Sequence, residues 1–151
     1  MSFLLDTNVI SEWVKARPNP GVIAWLAGVD EDRVFMSVVT LAELRYGVER
    51  MAAASRRKER LDEWLRDELP VRFEGRILPI SDVVANAWGK VVARSEAAGR
   101  PIGAIDAFIA ATVETYDFVL VTRNASDFEA SVKSILNPWS EDTARSPSDS
   151  T

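Results

Sequence analysis

Ser2-Phe3-Leu4-Leu5-Asp6-Thr7-Asn8 opens the chain with a short apolar run that stops at turn-forming polar residues. A run this short, with no polar position alternating through it, reads as a strand buried on both faces. Such strands belong to parallel sheets covered by helices, and ligands of open α/β sheets bind outside the carboxyl ends of the strands. Asp6 stands where this strand ends, which places it at that crevice. The competing reading is that Asp6 or Thr7 only N-caps the helix that follows.

Working outward, short apolar runs recur at Val34-Phe35-Met36, Ile77-Leu78-Pro79-Ile80, Phe118-Val119-Leu120-Val121 and Ile135-Leu136. Pro79 suits an edge position better than a central one, because proline cannot donate to a ladder. Helical spacing fills the intervals. It covers Val9 to Val14, then Pro20 to about Gly28 with Asn19 as N-cap, and then Val38 to Met51. A charged helix over 53–69 carries Leu61, Trp64, Leu65 and Leu69 on one side, with Pro70 marking its end. Ser81 or Asp82 caps a helix to about Ala98, which Gly99 closes, and Gly103 to Tyr116 is helical again. Strands alternating with helices predict an α/β fold, a three-layer α/β/α sandwich around a mainly parallel sheet. One domain is expected over residues 1–139. Residues 140–151, rich in Ser, Asp, Thr and Pro, read as a disordered tail.

At 151 residues, 47% hydrophobic and 27% charged, the chain suits a single globular domain with a sizeable core. It contains no cysteine and no histidine, so thiolate chemistry, an imidazole base and the commonest zinc ligand are excluded. Catalysis must use carboxylates, hydroxyls, Lys or Arg, or a hard metal ion. A net charge of −5 argues against a protein that coats nucleic acid generally, but not against an enzyme acting on it. The chain enters a strand without a basic leader, and no apolar stretch approaches the ~18–20 residues of a membrane span. A cytoplasmic location is expected.

Acidic residues recur near the strand ends. Asp106 falls on a helix face with Ile102, Gly103, Ile109, Ala110 and Val113, where a carboxylate is costly unless paired or bound to a cation. Its alternative role is an acid of the first helical turn, favoured by the helix dipole. Glu43 follows the second strand, yet Thr40 and Glu43 also have the spacing of a capping box. Thr122-Arg123-Asn124-Ala125-Ser126-Asp127-Phe128 follows the fourth strand and reads equally as a polar turn. Carboxylates converging without a basic partner repel one another, and a hard divalent cation relieves this. Oxygen donors suit Mg²⁺, with Mn²⁺ as substitute. Such a site can activate water and stabilise charge on a phosphodiester, so hydrolysis needs no histidine.

Four segments resemble, in order, the signatures of PIN-domain ribonucleases, in particular the VapC-type (FitB-like) toxins of bacterial toxin–antitoxin pairs. They are Leu4 through Glu12, Thr40 through Gly47, Asp106 through Ala111, and Thr122-Arg123-Asn124 through Asp127-Phe128. Asn137-Pro138-Trp139 is similar to the close of that group. The resemblance implies a Rossmann-like, five-stranded parallel sheet and Mg²⁺-dependent endoribonuclease activity. It also implies inhibition by a cognate, DNA-binding (VapB-like) antitoxin, contact with operator DNA only through that antitoxin, and a homodimer or higher assembly. Position by position, Asp6, Glu43 and Asp106 match the family's metal-binding acids, with Thr7, Asn8, Thr122 and Asn124 in support. The chain departs at Asn124, where many members carry Asp. Either Asp127 supplies the fourth acid or Asn124 ligates through its carbonyl oxygen or a water.

Two other function classes fit strand-end acids. A phosphatase or receiver-like domain would show a strand-end lysine, whereas Val121-Thr122-Arg123 closes the fourth strand without one. A non-catalytic module that binds an antitoxin, and through it DNA, would leave the acids scattered. The basic run Arg56-Arg57-Lys58 with Arg60 reads as a solvated helix face more readily than as an RNA groove. Trp13, Trp25, Tyr46 and Trp64 read as packing residues, and the resemblance implies that an exposed subset meets the antitoxin.

Overall fold

The apolar opening run forms the middle of the sheet. In the computed structural model, which describes residues 1–139, strand β1 (Phe3–Leu5) lies between β2 (Val34–Ser37) and β4 (Val119–Val121). The edges are β3 (Ile77–Leu78) beside β2 and β5 (Ile135–Leu136) beside β4, giving the order β3-β2-β1-β4-β5. Every pairing is parallel, so all five carboxyl ends share one edge. The expected tail, residues 140–151, lies outside the described residues.

Successive side chains of a strand face opposite ways, and β1 shows the consequence. Leu4 and Leu5 are both fully buried, but in different cores. Leu4 and Leu120 pack with Val84 and Val91 of α6 (Asp82–Ala97) and with Ala107, Ile109 and Ala110 of α7 (Ala104–Tyr116). Leu5, Met36 and Val121 pack with Val9 and Ile10 of α1 (Thr7–Glu12), Val22 of α2 (Pro20–Gly28) and Leu44 of α3 (Val38–Glu49). A sheet buried on both faces explains why its strands show no polar alternation. The three-layer α/β sandwich is thus the observed architecture, with an entirely parallel sheet. Truncating Leu4 or Leu5 to Ala would cost about 2–5 kcal/mol, the usual range for a fully buried leucine.

The charged helix differs from expectation. It begins at α4 (Arg56–Glu63), capped by the Ser55 hydroxyl, widens into a π-turn at Trp64–Glu68, and continues as α5 (Leu69–Arg72). Pro70 therefore sits inside a helical segment instead of ending it. Proline lacks an N–H, and its ring strikes the carbonyl one turn earlier. The π-turn, in which the Leu69 N–H reaches back to the Trp64 carbonyl, opens the ladder in front of that ring. Strand β3 stops at Leu78, before Pro79, and holds the edge position read for it. Phe118 stays outside β4, because Asp117 turns the chain in the left-handed conformation (φ 56°) at the end of α7. Among the described residues no helix is long and apolar enough to cross a membrane.

Candidate active site

Four acids from separate elements stand within electrostatic reach of one another at the carboxyl edge of the sheet. Asp6 follows β1 directly and is buried. Both readings of this residue are realised at once. Oδ1 accepts the Thr7 N–H at 2.8 Å as the cap of α1, while Oδ2 accepts the Thr122 hydroxyl at 2.8 Å and the Asn8 side-chain amide at 3.4 Å. Thr122, itself fully buried after β4, takes the Asn124 N–H on the same hydroxyl oxygen at 3.0 Å. Asn8 accepts the Arg123 N–H at 3.3 Å, so the segments after β1 and β4 hold each other in place. A carboxylate has about four acceptor positions. These contacts orient Asp6, fill the positions of Oδ2 and leave acceptor capacity on Oδ1.

Glu43 lies in the second turn of α3, because Ser37 is the N-cap, its hydroxyl accepting the Val39 N–H at 3.1 Å. The capping box with Thr40 therefore does not form. Glu43 Oε1 instead accepts the Thr7 hydroxyl at 2.5 Å, and Thr7 Oγ1 lies 3.2 Å from Thr40 Oγ1. A carboxylate can only accept, so the Thr7 proton goes to Glu43 and buried Thr40 is left to donate to Thr7. This relay connects the acid after β2 to the turn after β1.

Asp106 occupies the first turn of α7, behind the N-cap Gly103. The helix-dipole location read as its alternative role is therefore correct, yet the dipole does not dominate its chemistry. Burial, then the charges of Asp6, Asp127 and Glu43, push its pKa up to about 6. No hydrogen bond to its carboxylate occurs among the described residues. Burial also raises the Asp6 pKa, against the opposing hydrogen bonds from Thr122, the Thr7 N–H and Asn8, and the Asp127 charge adds to the rise. Asp127, exposed in the first turn of α8 (Ala125–Phe128), is thus the later acid whose charge reaches both. Asn124 is exposed, N-caps α8 without a side-chain cap bond, and contributes its main-chain N–H to Thr122.

Hard oxygen donors of like charge, one of them lifted in pKa by burial and then by the other three, are the donor chemistry a divalent cation relieves. Among the described residues no group of three acids is drawn close enough to cage an ion by direct contact.

A pocket of about 450 Å³ opens beside the acids, lined by Asp106 and Asp127 together with Ser95, Arg100, Ser126 and Ser131. Arg100 was not singled out from sequence, since a lone arginine in a Gly-Arg-Pro turn carries no spacing signal. Glu12 carries no sequence signal of its own either. It is buried, accepts the Asn19 N–H at 2.8 Å and pairs with Lys15 at 2.5 Å. The residue following an apolar helix face gives little warning of such burial.

The basic run is largely solvated, with Lys58 donating to the Glu49 carbonyl at 3.3 Å and Arg56, Arg57 and Arg60 exposed. Trp13 is covered by the Arg72 guanidinium, 4.0 Å from its ring centre, and Trp25 packs edge-on against Phe3 at 5.1 Å. Tyr46 is exposed, and half-buried Trp64 borders shallow depressions shared with Leu61 and Val71.

A parallel α/β sandwich with acids gathered at its strand ends defines the class, and comparison with known proteins supplies the family. Residues 3–130 match the PIN domain family model, and the chain belongs to the PIN domain family. It is 38% identical to the VapC ribonuclease Y4jK of Sinorhizobium fredii over 90% of this chain and 96% of that protein. It is likewise 38% identical to Toxin FitB of Neisseria gonorrhoeae, over 90% of this chain and 97% of that protein. A solved structure of FitAB bound to an IR36 DNA fragment superimposes with a TM-score of 0.85 at 36% identity, covering 91% of this chain and 95% of that one.

Proposed function

We propose that this chain is an Mg²⁺-dependent endoribonuclease, the toxin of a toxin–antitoxin pair, acting on RNA in the cytoplasm. The observation that carries the reading is the set of acids at the carboxyl edge, where Asp6 follows β1, Glu43 accepts the Thr7 hydroxyl, and Asp106 and Asp127 line one pocket. The relatives named as a ribonuclease and a toxin support the activity class, and the FitAB–DNA structure supports a partner chain that brings the assembly to operator DNA. That partner is a VapB-like antitoxin, and the toxin works as a homodimer or higher assembly.

Asp6, Asp106 and Glu43 would hold the cation, with Asp127 as the fourth acid. When bound, it supplies charge stabilisation at the scissile phosphate and lowers the pKa of a water. The Thr122 hydroxyl and the Asn8 amide favour the charged form of Asp6 and aim it, and the Thr7 hydroxyl orients Glu43. Asp106 carries no hydrogen bond to its carboxylate among the described residues, so both of its oxygens stay open to the cation.

The test is cleavage of single-stranded RNA by purified protein in Mg²⁺ or Mn²⁺. Excess chelator should stop it, and Asp6→Asn should abolish both cleavage and growth arrest while keeping the fold. Cleavage continuing unchanged in excess chelator would overturn the metal mechanism.

A further inference from the structure

Beside the acids, the pocket lined by Ser95, Arg100, Ser126 and Ser131 holds groups that the hydrolytic reading leaves unused. Arg100 is placed by the end of α6. Gly99 adopts φ 73°, a conformation open to glycine, and the helix closes with the Gly99 N–H on the Glu96 carbonyl and the Arg100 N–H on the Ser95 carbonyl, at 3.0 and 2.9 Å. This closure sets Arg100 above Ser95 at the pocket wall. One guanidinium nitrogen donates to the Ser126 carbonyl at 3.0 Å, which ties the loop before α7 to α8. No carboxylate pairs with Arg100 among the described residues, although Asp106 and Asp127 line the same pocket, so most of its donors are uncommitted. Ser95 provides an independent observation. It is 2% exposed, lines the pocket, and its hydroxyl makes no hydrogen bond among the described residues.

We infer that this pocket is a nucleotide subsite that grips the RNA backbone next to the scissile phosphate, with Arg100 on the flanking phosphate and Ser95 on the ribose 2′-hydroxyl. The inference rests on the ribonuclease reading and names its substrate contacts. Arginine presents a planar fork suited to a phosphate. A serine hydroxyl, both donor and acceptor, matches a 2′-hydroxyl, which is likewise both. Among the described residues no aromatic side chain lines the pocket, so base stacking, the usual means of reading single-stranded RNA, is not used there. The nucleotide is held by its sugar and phosphate, and this position tolerates any base. The pocket volume is ample for one nucleotide.

The experiment measures binding of a fluorescein-labelled single-stranded RNA to Asp6→Asn protein, which should not cleave, across a salt series, alongside cleavage by the corresponding active proteins. Arg100→Gln keeps a donor for the Ser126 carbonyl and removes the charge. It should weaken RNA binding about five- to tenfold and reduce the slope of log affinity against log salt by about 0.7, the loss of one single-strand phosphate contact. Arg100→Lys should retain the slope. A single methylphosphonate next to the cleavage site should reproduce the loss in the Arg100 protein and add nothing in Arg100→Gln. Ser95→Ala should likewise remove the penalty of a 2′-deoxy substitution at that nucleotide. Unchanged affinity and slope in Arg100→Gln, while the parent binds and cleaves RNA, would overturn the subsite and leave the ribonuclease reading intact. Loss of antitoxin binding with RNA binding untouched would make the pocket a protein-docking site and overturn it as well. A parent that neither binds nor cleaves RNA would instead defeat the function on which the subsite rests.

Discussion

Thr122 and Asp6, 116 positions apart in sequence, are joined by a 2.8 Å hydrogen bond in which the threonine hydroxyl donates to the carboxylate. Both follow buried central strands, and β1 pairs directly with β4, Leu5 opposite Val121. The residues one step beyond that pair are therefore neighbours. Their bond favours the charged form of a carboxylate that burial pushes the other way.

Thr122→Val keeps the shape of a fully buried side chain and removes that donor. The Asp6 pKa should rise further, so the acid limb of the pH–rate profile should move to higher pH and activity near pH 6 should fall at least tenfold. A hydrogen bond to a charged group is worth about 1.5–3 kcal/mol, and Thr122→Ser should recover most of the loss. A pH–rate profile identical to that of the native protein would show that this bond does not hold the Asp6 charge.

Asp106→Asn should stabilise the protein at neutral pH while destroying activity. The folded pKa of Asp106, about 6, lies above its ordinary value of 3.8, so the folded state holds the proton more tightly. The stability linked to that proton is present below pH 3.8 and is lost as pH rises through about 6. Asn behaves as a permanently neutral group, so its melting temperature should exceed that of the native protein by a few degrees at pH 7.5 and match it near pH 4. For a chain of this size, about 2–4 °C corresponds to 1 kcal/mol. Equal melting temperatures at both pH values would contradict the raised pKa that burial and the neighbouring acids impose.

Divalent cation binding should compete with protons at Asp106. Mn²⁺ titrated into metal-free protein should raise the melting temperature more at pH 7.5 than at pH 5.5, and calorimetry should detect proton release at the lower pH. Saturation at 100 times the dissociation constant contributes about 2.7 kcal/mol. A shift independent of pH, or one retained in Asp6→Asn, would place the ion elsewhere.

Glu12→Gln should destabilise the fold through the opposite linkage. Burial raises the Glu12 pKa, but the Lys15 hydrogen bond, the Asn19 N–H and the charges of Lys15 and Arg123 outweigh it and hold the carboxyl below its ordinary 4.5. The stability tied to its charge is thus present above pH 4.5 and lost as pH falls through the folded pKa. Urea unfolding at pH 7 should show a cost of about 1.5–3 kcal/mol, shrinking below pH 4. Because Arg123 adjoins Thr122 and its N–H contacts Asn8, cleavage should also slow several-fold. A variant as stable as the native protein at pH 7 would refute the role.

The sequence by itself determined the layer architecture and where chemistry could occur. Unalternating strands such as Phe3–Leu5 require cover on both faces, and a polar residue directly after such a strand can only stand at the carboxyl edge. Asp6 and Thr122 were legible for that reason, as was the need for carboxylates and a hard ion in a chain without His or Cys. Local signals misled where two elements compete for one residue. Thr40 and Glu43 have capping-box spacing, but Ser37 caps α3 and both side chains turn to Thr7. Pro70 signals a stop, but a π-turn absorbs it. Only the tertiary structure brought Asp127 within electrostatic reach of Asp6 and Asp106, buried Glu12 against Lys15, and set Arg100 beside Ser95 in one pocket. Periodicity reports which face of an element is buried. Which side chains of different elements meet depends on strand order and helix ends, and local spacing does not encode either.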